Sequence, residues 1–247
     1  MLQVKGAERQ RGVVALSSSE GVQARVQEVK KLQKVSSQDF NERLFTLNRR
    51  RFSEALVFPY RYSQALVSLS FTASKVLAQI EVQDRSNFSI GDERLLLNSQ
   101  LLVEVKKAGV FELRLAVPAD YEIETLSAPG SSHWEEYDIK GKRQAVLYFR
   151  QRLKGTVKVN CVLSKMSERK SGQLAVPGIR VIGEKKHRGS IIVSAERGNR
   201  LEVFSKQGIG GTVLVNEGVM TFTLLKNEWS MILKREVLDP RIEMTYL

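Results

Sequence analysis

The sequence predicts an all-β chain of antiparallel β-sandwich modules, with partial repeat units flanking a main one. Three observations predict it. Apolar and polar residues alternate from about residue 64 onward, turn residues punctuate the alternation at short spacing, and one glycine-bounded segment occurs twice. At 247 residues the chain holds one large β domain or two of ordinary size. With 42% hydrophobic and 27% charged residues it is too apolar and too mixed to stay unfolded.

The elements follow in order. Ser37 to Arg50 places Phe40, Leu44 and Leu47 at helical spacing behind a serine cap, which predicts a short helix or an irregular connector. Between Val110 and Val117, Phe111, Leu113, Leu115 and Val117 point one way while Glu112 and Arg114 point the other. Arg143 to Arg150 sets Ala145, Leu147 and Phe149 on one face and Gln144, Val146 and Tyr148 on the other, a strand covered on both sides. After Lys154-Gly155, read as a turn, Val157, Val159, Cys161 and Leu163 share a face. Further turns are expected at Ser89 to Asp92, Lys107-Ala108-Gly109, Pro118 to Asp120, Ala128 to Gly130 and Lys140 to Lys142. An α/β fold needs helical periods of roughly 10–15 residues between strands. The pattern contains no such series.

The repeat relates residues 4–26 (VKGAERQRGVVALSSSEGVQARV) to residues 181–203 (VIGEKKHRGSIIVSAERGNRLEV) at an offset of 177, with seven of 23 positions identical. Gly6/Gly183, Gly12/Gly189 and Gly21/Gly198 are among them, and Val14/Ile191 and Leu16/Val193 keep the apolar phase. This predicts a hairpin used twice, its glycines serving tight corners that need positive φ. Trp229 to Leu247 also repeats the layout of Gln64 to Val82: a strand, a break and a strand. The register predicts residues 1–53 as the end of a preceding β unit plus connector, 54–180 as the main sandwich, and 181–247 as the repeat hairpin and the start of a following unit. It predicts a segment of a longer reading frame, or a truncated copy of one.

Residues from about 54 to 216 resemble large bacterial envelope-associated proteins built from tandem β-sandwich units. The residues that carry the resemblance are Ala65 to Ser70, Phe111 to Pro118, Trp134, Gly155 to Val159, Val176-Pro177 and the Arg188-Gly189 segment. The resemblance implies an extracytoplasmic or envelope-associated, non-catalytic structural or interaction module. Its partners would be other modules of the same protein or other proteins. It carries over no functional residues.

The formal charge of +12 and pI near 9.9 favour polyanions, nucleic acid or an acidic polymer, as alternative partners. The basic residues are spread in short runs, at Arg49, Arg50 and Arg51 and at Lys185, Lys186 and Arg188, and a solvated basic surface also accounts for them. A carbohydrate-binding sandwich would use Trp134 and Tyr137, with Tyr60 and Tyr62, as its platform. Glu136 and Asp138 can share a strand face as a carboxylate pair, whereas adjacent Glu135 and Glu136 cannot. An exposed strand anchored by Trp134 is the stronger reading. Two histidines and one cysteine without close spacing predict no metal site, and no cofactor is expected. Gly208 to Gly211 lacks the Gly-Lys-Ser/Thr ending of a phosphate loop and reads as a turn. Cys161 falls on an apolar phase and reads as a buried small hydrophobe. No apolar run of about 18 residues is present to form a transmembrane helix.

Overall fold

The computed structural model describes residues 10–18, 21–36, 57–64, 66–216 and 219–238, and every regular element among them is a β-strand. The stretch expected to form a helix or connector, Ser37 to Arg50, lies outside the described residues. No helix of the described chain is long and apolar enough to cross a membrane.

The chain divides into two units, Met1–Ala78 and Gln79–Leu247. The divisions expected after residues 53 and 180 are not where it parts, because strands on both sides of residue 180 share one sheet. Unit 1 contains β1 (Gly12–Ser17), β2 (Val22–Lys30), β3 (Gln33–Lys34), β4 (Val57–Tyr62) and β5 (Ser68–Lys75). They form a three-stranded sheet in the order β1-β4-β3 and a separate β2-β5 pair.

Unit 2 contains β6 (Gln79–Ile90), β7 (Arg94–Ala116), β8 (Glu122–Ser127), β9 (Ser131–Ile139), β10 (Lys142–Met166) and β11 (Gly172–Ala175). It continues through β12 (Arg180–Val181), β13 (Glu184–Ala195), β14 (Asn199–Gln207), β15 (Ile209–Asn216), β16 (Val219–Leu224) and β17 (Ser230–Val237). Nine strands make one sheet, ordered β15-β16-β13-β6-β7-β10-β8, with β12 on β7 and β9 on β10. Strands β11-β17-β14 make a second sheet. The expectation of antiparallel pairing alone needs correction, since β13 lies parallel to β6 from Glu184↔Ile80 to Ala195↔Ile90. The long excursion through β7 to β12 lets the chain return beside β6 in the same direction, which no tight turn allows.

Two expected turns are absorbed into long strands. Lys107-Ala108-Gly109 lies inside the 23-residue β7 and Lys154-Gly155 inside the 25-residue β10. These signals mark bends instead. The β7–β10 pairing shifts between Tyr148 and Leu153 and again before Gly155, while Lys107 and Gly155 take φ of 67° and 91°. At this level Arg152 lies over the Phe111 ring, 5.2 Å from its centroid. Phe111 is 54% exposed, although its phase-mates Leu113 and Leu115 are buried.

Strict alternation builds the core of unit 2. Phe88, Leu97, Leu101, Leu115, Val159 and Phe222 are fully inaccessible, each worth roughly 1.5–3 kcal/mol of burial. Two polar networks are buried among them. Arg235, 1% exposed, donates from Nε to Asn199 Oδ1 (2.7 Å) and from Nη2 to Asp92 Oδ1 (3.1 Å), with further bonds to Ser167 Oγ and the Glu168 carbonyl. Asp84 receives the Ser86 hydroxyl (2.6 Å) and faces His187 Nε2 (3.2 Å), and Ser86 in turn lies 2.7 Å from Ser99.

The sequence repeat has a structural counterpart that differs from a hairpin. β1 and β2 join different sheets, as do β13 and β14, so each copy is a strand, a glycine corner and a strand that part company. The corner glycines are Gly21 and Gly198, at φ 82° and 83°. Gly12 and Gly189 are not among the positive-φ residues and serve another purpose. The correspondence continues through five strands: β1-β4-β3 matches β13-β16-β15, and β2-β5 matches β14-β17. Gly12 to Ser17 pair with Tyr62 to Val57 in the ladder by which Gly189 to Ser194 pair with Leu224 to Val219. Even the bulges coincide, between Val26 and Glu28 in one copy and Val203 and Ser205 in the other.

Candidate functional site

The candidate site is the solvent face of the nine-stranded sheet, set by the period-2 alternation that sends Val82, Phe88, Leu97 and Val159 inward. Pairing aligns the outward residues in rows across the sheet. One row runs Thr223, Ser190, Arg85, Gln100, Asn160, Ser127; the next runs Thr221, Ile192, Asn87, Asn98, Val162, Thr125. Six strands about 4.8 Å apart make each row about 24 Å long. Only Arg85 is charged in these twelve positions, where the chain-wide 27% predicts about three. At the centre, Arg85, Asn87, Asn98, Gln100, Asn160 and Val162 border a shallow depression of about 360 Å³.

These residue types are not what a merely solvated strand selects. Asparagine is depleted in strands, whereas threonine, lysine and glutamate fill wet sheet faces at less cost. Here Asn87 stands directly opposite Asn98, and Gln100 directly opposite Asn160. Facing Cβ atoms lie about 5 Å apart and the two rows about 6.8 Å apart. Each amide presents one acceptor and a two-proton donor. Sequence reasoning missed this site because its residues are spread over three strands and align only through long-range pairing. The available signal was the placing of Asn and Gln at wet positions of otherwise regular strands.

The residues singled out from sequence do not gather into one site. Arg49, Arg50 and Arg51 lie outside the described residues. Trp134 and Tyr137 stand three residues apart on β9 and so face opposite sides, and Tyr60 is buried. Tyr137 bonds Glu135 and lies 3.2 Å from the Tyr148 hydroxyl, and these contacts push its phenol well above the usual range, the Glu135 bond first. Glu136 pairs with Arg143 at 2.7 Å, and Asp138 accepts the Gly141 N–H in a turn, so both carboxylates are engaged in local structure. Lys186 and Arg188 flank a smaller depression with Glu81, Gln83, Leu102, Glu104 and Thr156, while Lys185 is exposed elsewhere. The basic residues here are interleaved with acids, as in the Lys106 contacts of 3.0 Å to both Glu81 and Glu104.

The buried Asp84–His187–Ser86–Ser99 chain has residue types of nucleophilic catalysis without their order. Asp84 stands between the serine and the histidine, and all four side chains are nearly inaccessible. Cys161 is buried as well, which pushes its thiol up to about 12. Among the described residues no group of three or more His, Cys, Asp or Glu is placed to hold a metal ion.

No family model matches the chain, and no curated protein does. Solved structures do. An M1 zinc metallopeptidase from Deinococcus radiodurans is similar over 63% of this chain and 42% of its own length, at 9% identity and a TM-score of 0.41. Leukotriene A4 hydrolase from Saccharomyces cerevisiae is similar over 64% of this chain and 29% of its own, at 10% identity and a TM-score of 0.42. The chain thus spans less than half the length of either. These likenesses correct the expectation of a non-catalytic structural or interaction module that is not an enzyme. The similar proteins are enzymes, and the exclusion of catalysis is not retained. At this identity and TM-score they assign no activity to the present chain.

Proposed function

We propose that the chain binds an extended polypeptide across the amide-lined face of the nine-stranded sheet. The observation that carries the reading is the block of four side-chain amides, Asn87, Asn98, Gln100 and Asn160, aligned on three adjacent strands. A side-chain amide is the hydrogen-bonding complement of a peptide group. The two rows are two residues apart, about 6.8 Å, which is the repeat of same-facing peptide groups in an extended chain. Exposed Leu102 and Ile192 beside the block offer apolar contacts to alternate side chains, and Arg85 offers a carboxylate partner. A glycan would call for an exposed aromatic platform, and a phosphodiester polymer for more than one cation. In this reading the β11-β17-β14 sheet closes the apolar side of the larger sheet, completing a sandwich.

The test is a titration of the full chain with reduced, carboxymethylated α-lactalbumin, an unfolded polypeptide, followed by NMR of the side-chain NH₂ groups. Shifts at Asn87, Asn98, Gln100 and Asn160 are expected. Asn98→Lys with Asn160→Lys should weaken binding about tenfold or more, two lost hydrogen bonds at 0.5–1.5 kcal/mol each. Binding that leaves these amides unshifted, or that the double variant leaves intact, refutes the reading.

A further inference from the structure

The two copies of the five-strand repeat match in register yet differ in cover. Ile191 and Val193 of β13 are fully inaccessible, while their counterparts Val14 and Leu16 on β1 are only half-buried. Leu233 of β17 is fully inaccessible, and its counterpart Phe71 on β5 is 48% exposed. In unit 2 each of these strands has a further neighbour: β6 lies parallel along β13, and β11 lies along β17. Among the described residues β1 pairs with β4 alone and β5 with β2 alone.

Glycine supplies a second, independent observation. A Cβ on Gly189 would sit 2.0 Å from the Asp84 carbonyl oxygen and 2.8 Å from its nitrogen, so glycine is what lets β6 approach. Gly12 keeps that glycine, although the nearest atoms a Cβ there would meet belong to the Tyr62 ring, at 2.6 Å to its hydroxyl, a side-chain end and not a neighbouring backbone. The alternation and the glycine of a docked edge are therefore both present in β1, without a β6-like strand among the described residues.

We propose that the outer edge of β1 receives, in parallel register, the first strand of a β body of the β6 to β12 kind, whose shorter strand of the β11 kind covers Phe71. The register follows from unit 2: Gly12 opposite the counterpart of Asp84, and Leu16 opposite the counterpart of Phe88. The occupant is such a body and not a second intact copy, because β6 of an intact copy already lies between β13 and β7.

The experiment uses the full chain with a second copy of residues 79–177 fused ahead of Met1, which preserves the 177-residue spacing of the repeat. Hydrogen exchange is read at the amides of Gly12–Ser17 in the fusion and in the free chain. Exchange slowed by about 100-fold or more in the fusion, and restored to the free rate by Gly12→Ala within it, is the expected result. Gly12→Ala in the free chain should leave exchange across β1 and β4 unchanged. Unslowed β1 amides in the fusion overturn the proposal, whether or not the added body folds, since unit 1 is what should complete that body. Protection that survives Gly12→Ala overturns the register. Concentration-dependent self-association of the free chain that protects the same amides puts a second copy on the edge and overturns the assignment as well.

Discussion

Arg235→Met tests whether the buried polar clamp at one end of unit 2 stabilises the fold. Methionine keeps most of the stem volume and removes the guanidinium. Four bonds go: to Asn199 Oδ1 at 2.7 Å, Asp92 at 3.1 Å, the Glu168 carbonyl at 3.3 Å and Ser167 Oγ at 3.4 Å. Asp92 keeps Arg169, at 3.6 Å, and the Asn199 amide, at 3.2 Å, and it is one-third exposed, so its loss is muted. Asn199 Oδ1 is left buried without its donor. Bonds to a charged group are worth about 1.5–3 kcal/mol and an orphaned buried acceptor costs about 1–3 kcal/mol. Offset by the added apolar burial, the net loss is about 3 kcal/mol. For a unit of this size that is a fall in Tm of roughly 6–12 °C. Calorimetry on the full chain measures it, with hydrogen exchange expected to quicken around Gly91 to Glu93 and along β17. Arg235→Lys should fall between the two, keeping the charge without the fork. A fall below about 2 °C would refute the claim that this network holds the β6–β7 turn to β17.

Other expectations follow from single contacts. Gly189→Ala should destabilise unit 2 by about 3 kcal/mol or more, because the clash is with the Asp84 backbone and not with a movable side chain; a urea midpoint near that of the parent chain would count against the parallel β6–β13 approach. The Cys161 thiol should resist alkylation in the folded chain and react on unfolding, and rapid labelling under native conditions would contradict its burial. Burial raises that thiol from 9.0 to about 12 in the fold, so its contribution is intact below pH 9 and is lost as pH rises from 9 toward 12. Stability measured over that range should fall less steeply in Cys161→Ala than in the parent.

Much of the fold was legible because alternation is a local signal. The phase of Leu113, Leu115, Val159 and Cys161 reports the buried face directly, and each is buried. At Lys107-Ala108-Gly109 and Lys154-Gly155, where turn residues were read as chain reversals, the physics was right and the scale was wrong. Gly155 does take a positive φ, but within a strand that bends and continues to Met166. The parallel β6–β13 pair left no local trace, since either direction satisfies the same alternation. The site was harder still. Trp134 and the arginine run stand out in a sequence, whereas Asn98 and Asn160 stand out only once pairing brings them to one depression.

The repeat was legible for a reason that the structure separates into two. Gly21 and Gly198 coincide because both corners need a left-handed backbone, and any sequence turning there would favour glycine. Gly12 and Gly189 coincide without that need. At Gly189 the requirement comes from a neighbouring strand, through the 2.0 Å approach of Asp84, and not from the chain's own conformation. A glycine of the first kind records a turn, and one of the second kind records a contact. Gly12 is not of the first kind, since its φ is not positive, and the half-buried Val14 and Leu16 follow the phase of Ile191 and Val193, which are closed over. The same code in β1 therefore specifies an interface, and the edge of β1 is where its occupant belongs.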